Sequence, residues 1–164
     1  VINAAGLNAH NIANMLGFNY NQYYCKGDYF SVHNGKDKLV SRLIYPLVKK
    51  DNPGLGIHIT LDLAGRMRLG PDTSYVDEIN YKVNEDKREL FYESVKGYFP
   101  ALELKDLEPE FSGIRPKLQG PGESFKDFYI EQDLPGFVNL IGIESPGLTS
   151  CIPIARRVKK LLKL

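Results

Sequence analysis

Apolar residues along this chain switch between helical and strand spacing, and turn residues cut the pattern into short pieces. Val1-Ile2 leading into Asn3-Ala4-Ala5-Gly6 reads as the end of a buried strand entering a small-residue turn. Leu7, Ile12, Met15 and Leu16 follow at approximately helical spacing, which predicts a helix resting on those side chains and stopped by Gly17. Gln22 to Val32 is Tyr-rich and partly alternating, a strand pattern. His33 to Asp37 is a turn, because Asn34-Gly35 readily takes positive φ. Leu39 to Val48 is expected to return as the second strand of a hairpin, with Pro46 marking an edge or an irregularity. Lys49 to Gly56 is a turn-rich loop. Ile57 to Leu61 and Arg66 to Leu69 predict another hairpin, turned at Asp62-Leu63-Ala64-Gly65 and closed by Gly70-Pro71-Asp72.

Asn84 is a candidate N-cap, with Glu85 and Asp86 in the first turn, for a helix through about Tyr98 that Pro100 ends. Leu90, Phe91, Val95 and Tyr98 are its expected core face. Phe111 to Leu118, Asp127 to Gln132 and Phe137 to Ile143 read as strands. After the tight turn Ser145-Pro146-Gly147, Thr149 or Ser150 is expected to cap a last helix to about Leu162. Ile152, Ile154, Ala155, Val158 and Leu162 form its apolar stripe, with Arg156, Arg157, Lys159 and Lys160 outside. Many strands with three helices, two of them near the ends, make an α+β chain with α/β-like termini.

The chain has 164 residues, enough for one ordinary domain or two small lobes that close a core without disulfides or metal. A net charge of +1 argues against a nucleic-acid binder. No apolar run reaches the roughly 20 residues that cross a bilayer, so no membrane span is expected. Cys25 and Cys151 are too few for a disulfide scaffold, and no His/Cys cluster has zinc-ligand spacing. A cytoplasmic setting is the expectation. A buried strand at the first residue has lost its approach, which predicts either a piece of a longer protein, with exposed apolar faces open to self-association, or a processed N-terminus or unordered leader.

His58 stands alone between Ile57 and Ile59. It is either a core histidine satisfied by a backbone carbonyl or a general base. Arg115 and Lys117 lie two apart in one strand, so both project from one face, and Pro116 holds Arg115 extended. Such a pair is either solvated or clamps a carboxylate, Arg as a planar fork and Lys as a point charge. Arg66 and Arg68 repeat that spacing and are read as surface residues. Gly142 to Ser150 is strand, turn and helix start, which aims N–H groups and a helix dipole at a crevice. The chain has neither GxGxxG nor GxxxxGK[ST].

These segments together resemble the C-terminal part of a D-amino-acid-oxidase-like FAD-dependent oxidoreductase, nearest to the branch that oxidises L-2-hydroxyglutarate. The resemblance is carried by Val1-Ile2-Asn3-Ala4-Ala5-Gly6, Lys26-Gly27-Asp28-Tyr29-Phe30, Leu43-Ile44-Tyr45-Pro46, Leu55-Gly56-Ile57-His58-Ile59-Thr60, Gly65-Arg66 through Gly70-Pro71-Asp72, Gly113-Ile114-Arg115-Pro116-Lys117-Leu118 and Ile143-Glu144-Ser145-Pro146-Gly147-Leu148-Thr149. It implies FAD as cofactor and a missing N-terminal portion that carries GxGxxG. It implies FAD-domain remnants at 1–17 and 141–164 around a mixed-sheet substrate domain at 18–140. Asn3, Ala4, Ala5 and Gly6 would lie against the cofactor, with Gly147, Leu148 and Thr149 near the flavin pyrimidine end. Arg115 would bind the carboxylate of a small substrate, a 2-hydroxy acid or an amino acid, with Lys117 beside it, and His58 would take the hydroxyl proton. Pro116-Lys117 departs from the Ala-Gln that follows the Arg in the branch, which bears on the choice of acid. A binding module without catalysis is the rival reading.

Overall fold

The computed structural model describes residues 1–47 and 56–164. Within them the chain divides into two compact units, residues 1–25, 75–79 and 114–164, and residues 26–74 and 80–113. The strands are β1 (Ile2–Asn3), β2 (Tyr23–Val32), β3 (Ile59–Leu61), β4 (Met67–Leu69), β5 (Ser74–Val76), β6 (Leu107–Lys117), β7 (Tyr129–Leu134) and β8 (Phe137–Ile141). The α-helices are α1 (Ala9–Asn14), α2 (Arg88–Lys96) and α3 (Cys151–Leu161). Parallel and antiparallel pairings coexist among few helices, an α+β fold.

The first unit holds a sheet of order β1-β8-β7, with β1 parallel to β8 and β7 antiparallel to it. Alternation along β8 sends Val138 and Leu140 to one face and Ile141 to the other. Val138 packs with Val158 of α3, and Ile141 with Ala9 and Ala13 of α1. Both faces of this small sheet are therefore covered by helices, as a parallel pairing requires. On α3, Val158 is buried as expected, whereas Ile152 and Ala155 are exposed. No Ser150 side-chain cap forms.

The α1 expectation is inverted. Met15 is 82% exposed and Leu16 50%, while Ala9 and Ala13 are fully buried. Small residues let the helix backbone approach β8 closely, and that contact outweighs the larger side chains' preference for burial. Ala13→Leu is expected to cost about 1–3 kcal/mol by overpacking, and Met15→Ala to stay within about 0.5 kcal/mol. Urea unfolding of both variants checks the face; equal costs would restore the sequence-based assignment.

The second unit is built around Phe30, Val32, Ile59, Met67, Leu69, Phe91, Val95 and Leu107. The rings of Phe30 in β2 and Phe91 in α2 lie 4.6 Å apart. The larger sheet runs β3-β4-β2-β5, with β6 also on β2, and β2, β5 and β6 each contribute residues to both units. The β3–β4 hairpin forms as expected, with Thr60 opposite Arg68. The predicted β2 partner at 39–47 does not: only Ile44 bridges, and it bridges Ile59. β4 takes the place beside β2, pairing Leu69 with Phe30. The predicted strand end at Val48 and the loop 49–55 lie outside the described residues. Asn84 caps the turn before α2 by accepting from the Asp86 N–H, but Leu90 is exposed where Phe91 and Val95 are buried. Two adjacent positions cannot both sit at the centre of a narrow helical stripe.

Candidate functional site

The connection from β8 to α3 is where side chains and free backbone groups converge in the first unit. Gly142 has φ +72°, and a Cβ there would come within 2.5 Å of Leu118 Cγ, so only glycine lets Leu118, the residue after β6, pack onto it. The chain then folds on itself. Glu144 N–H donates to Gly142 O at 2.9 Å, and Gly147 N–H donates to Glu144 O at 2.6 Å. A Cβ on Gly147 would meet Ile143 Cγ2 at 2.5 Å and Glu144 O at 2.7 Å. Among the described residues the N–H groups of Leu148 and Thr149 have no acceptor, and they precede the positive end of α3.

Arg115 and Lys117 do share a face, as their spacing requires. The carboxylate they hold is the chain's own. Lys117 Nζ donates to Glu144 Oε1 at 2.7 Å, and Arg115 Nη1 donates to Oε2 at 3.3 Å. The Glu144 side chain is 8% exposed, Lys117 17% and Arg115 44%.

A cavity of about 530 Å³ lies beside this connection, lined by Ile2, Ala4, Gly6, Ile143, Gly147 and Cys151 among others. It brings Ala4 and Gly6 together with Gly147, far apart in sequence. Gly6 has φ +57° with open space where a Cβ would stand. The Asn3 side chain does not join it. Asn3 is 3% exposed; its Nδ2 donates to Ala9 O and to Asn139 Oδ1, each at 2.7 Å, and its Oδ1 accepts from Ala5 N–H. Asn139 in turn donates to Asp133 Oδ2 at 2.6 Å, and Tyr129 donates to Asp133 Oδ1 at 2.5 Å. Burial and then the Asp133 carboxylate push the Tyr129 hydroxyl far above its ordinary value. Gln22 braces the same turn by donating to Gly6 O and Leu7 O. Cys151, Gln22 and Asn139 carry no motif; the fold brings Asn139 and Cys151 beside the Asn3–Gly6 turn from more than a hundred residues away, and Gln22 from 15 to 16 residues away.

In the second unit His58 is buried, and its ring stacks on Tyr45 with centroids 4.5 Å apart. Nδ1 lies 2.9 Å from Gly56 O. A carbonyl only accepts, so Nδ1 carries a proton, and in the neutral ring Nε2 is the acceptor. The arrangement is the carbonyl-satisfied histidine expected for a core residue, and it also fixes the tautomer that a general base needs. Arg66 pairs with Asp62, and Arg68 makes a forked pair with Glu110, so both are structural cations. Among the described residues no cluster of His, Cys, Asp or Glu could hold a metal ion, and no helix is long and apolar enough to cross a membrane.

Residues 1–161 match the family DAO, FAD dependent oxidoreductase. The chain belongs to that family. It is 40% identical to the mitochondrial L-2-hydroxyglutarate dehydrogenase of Arabidopsis thaliana over 96% of its length, and that match spans 36% of the plant protein. It is 30% identical to a glycerol 3-phosphate dehydrogenase of Caloramator mitchellensis, over 99% of this chain and 33% of that one. Among solved structures, the FAD-bound L-α-glycerophosphate oxidase of Mycoplasma pneumoniae superposes with a TM-score of 0.80 at 26% identity, over 99% of this chain and 42% of the oxidase. The chain thus spans between a third and a half of these relatives.

FAD is the DAO family's cofactor, and the geometry fits part of it. Gly6 and Gly147 permit close backbone approach, and Ile2 and Ile143 give the cavity an apolar wall on which a planar ring would fit; the free N–H groups of Leu148 and Thr149 lie just beyond Gly147 in the same turn and would serve as donors to an electron-rich edge.

Proposed function

We propose that the protein carrying this chain is an FAD-dependent dehydrogenase or oxidase of a small 2-hydroxy acid resembling 2-hydroxyglutarate. The observation that carries this reading is the cation pair Arg115–Lys117 placed against the loop whose far end offers the N–H groups of Leu148 and Thr149. FAD, when bound, supplies the hydride acceptor. Arg115, the more exposed cation, holds the substrate carboxylate. His58, protonated on Nδ1, takes the hydroxyl proton on Nε2. Each role rests on the side chain's own surroundings. Asn3, Ala4, Ala5 and Gly6, with Gly147, Leu148 and Thr149, shape the cofactor's resting place. The pyrophosphate loop comes from sequence outside these 164 residues, and the 164 residues alone are inactive. A cytoplasmic setting stays part of this proposal.

A second reading has support from two relatives whose names contain a glycerol phosphate. Both substrates are secondary alcohols that carry an anionic group.

The test is Arg115→Ala in the complete FAD-loaded protein, assayed on 2-hydroxyglutarate and on glycerol 3-phosphate. Losing a charge-assisted pair is expected to weaken the preferred substrate by about 2–5 kcal/mol, seen chiefly in KM. Arg115→Lys restores only part, because the planar fork is lost. Parental KM for both substrates in a folded, FAD-loaded Arg115→Ala protein would place the anion elsewhere.

A further inference from the structure

We infer that Glu144 is a built-in counter-ion that withdraws Lys117 from the substrate anion and so selects a carboxylate over a phosphate. The inference rests on the reading of Arg115 as the anion-binding residue. The two cations do not meet Glu144 equally. Lys117 makes a 2.7 Å charge-assisted bond and is largely covered, whereas Arg115 makes one 3.3 Å contact through a single nitrogen and is 44% exposed. Among the described residues no second acceptor meets the Arg115 fork. Lys117 is therefore neutralised and Arg115 is available.

The Glu144 carboxylate is 8% exposed and held by Lys117 at 2.7 Å, on a residue whose backbone is fixed on both sides. Its N–H is tied to Gly142 O and its carbonyl to Gly147 N–H, inside a turn that Gly147 can enter only without a side chain. Two cations against one carboxylate leave a single net positive charge on this face. A carboxylate substrate balances that charge. A phosphate, which carries about −1.5 to −2 at neutral pH, brings surplus negative charge up to Glu144. Rejection by a placed like charge is a recognised route to specificity. Without Glu144 the same face would present Arg and Lys together, a suitable pair for phosphate. Lys117 thus acts through Glu144 rather than on the substrate, as a positioning residue.

The experiment compares propionate with ethyl phosphate, two anions with no hydroxyl to oxidise, by calorimetric titration of the complete FAD-loaded protein. Its readout is the ratio of the two Kd values. Glu144→Gln is expected to shift that ratio towards phosphate by roughly tenfold or more, and adding Lys117→Met should return it to near the parental value. A ratio unmoved by Glu144→Gln, or a shift that survives the loss of Lys117, overturns the inference. Should Glu144→Gln melt early, Lys117→Met alone decides. It leaves Glu144 unneutralised and should weaken ethyl phosphate by roughly tenfold more than propionate; equal weakening overturns the inference. If neither anion binds the parent, or if Arg115→Ala leaves both Kd values unchanged, the anion-site reading itself fails and takes this inference with it.

Discussion

His58→Ala in the complete FAD-loaded protein is expected to lower kcat by about 10²–10⁴-fold while KM changes little. The Nδ1–H bond to the Gly56 carbonyl and the stack on Tyr45 hold the ring in one tautomer and one plane. Loss of a base that acts in the transition state lowers the chemical rate without loosening substrate binding. A histidine that merely fills the core gives the opposite signature, a lower melting temperature with parental kcat in whatever remains folded. Arg115→Ala moves KM, so the two variants separate along different kinetic axes. Steady-state kinetics beside a thermal melt checks this, and a folded His58→Ala protein turning over at the parental rate removes the base from His58.

Asp28→Ala should cost about 3–5 kcal/mol of stability, the range seen when one member of a buried ion pair is removed. Asp28 is fully buried in β2, and its carboxylate meets Lys87 at 2.8 Å and Lys26 at 3.5 Å. Lys87 also holds Asp72 at 2.6 Å, and Asp72 accepts the Asp28 N–H at 2.7 Å. Removing Asp28 leaves Lys87 with Asp72 alone and takes from Lys26 its carboxylate, leaving it the Lys82 carbonyl. At about 2–4 °C per kcal/mol for a chain of this size, the melting temperature should fall by roughly 6–20 °C. Burial opposes the Lys87 charge, but Asp28 and Asp72 hold its pKa above the ordinary 10.5. Its contribution is therefore complete below pH 10.5 and fades as pH climbs through the raised value. Calorimetry of the variant at neutral pH tests the cost; a shift of only a degree or two would mean that solvent already screens the cluster.

Local patterns predicted what local physics controls. Asn34-Gly35 takes the positive φ expected of it, the β3–β4 hairpin turns at Asp62–Gly65, and Asn84 caps. The shared face of Arg115 and Lys117 follows from strand period alone. Partners in space were not legible. Leu39–Val48 looked like the natural return strand for β2, yet β4 pairs there, because pairing choice is made by whole faces. On α1 the large apolar residues pointed the sequence reading to the wrong side, since close backbone packing through Ala9 and Ala13 has no hydrophobicity signal. The carboxylate between Arg115 and Lys117 is equally invisible: Glu144 stands in the Ile143–Thr149 segment, but nothing in one dimension places it opposite the cations.

The hydrogen bonds around Asp133 all run one way. Its carboxylate only accepts, so the Tyr129 hydroxyl must donate to it, and the Tyr20 hydroxyl, 2.7 Å from that of Tyr129, must donate to Tyr129. Asn139 must turn its NH₂ towards Asp133, which leaves its oxygen for the NH₂ of Asn3, which leaves the oxygen of Asn3 for the Ala5 N–H. One anion in the β7–β8 hairpin therefore sets the orientation of two amides in succession. An amide at position 3 is symmetric in shape but not in polarity, and a reversed Asn3 would present a donor to the Ala5 N–H and unseat the turn that leads to Gly6. The asparagine in this turn is thus an oriented dipole whose direction is dictated from the other end of the chain.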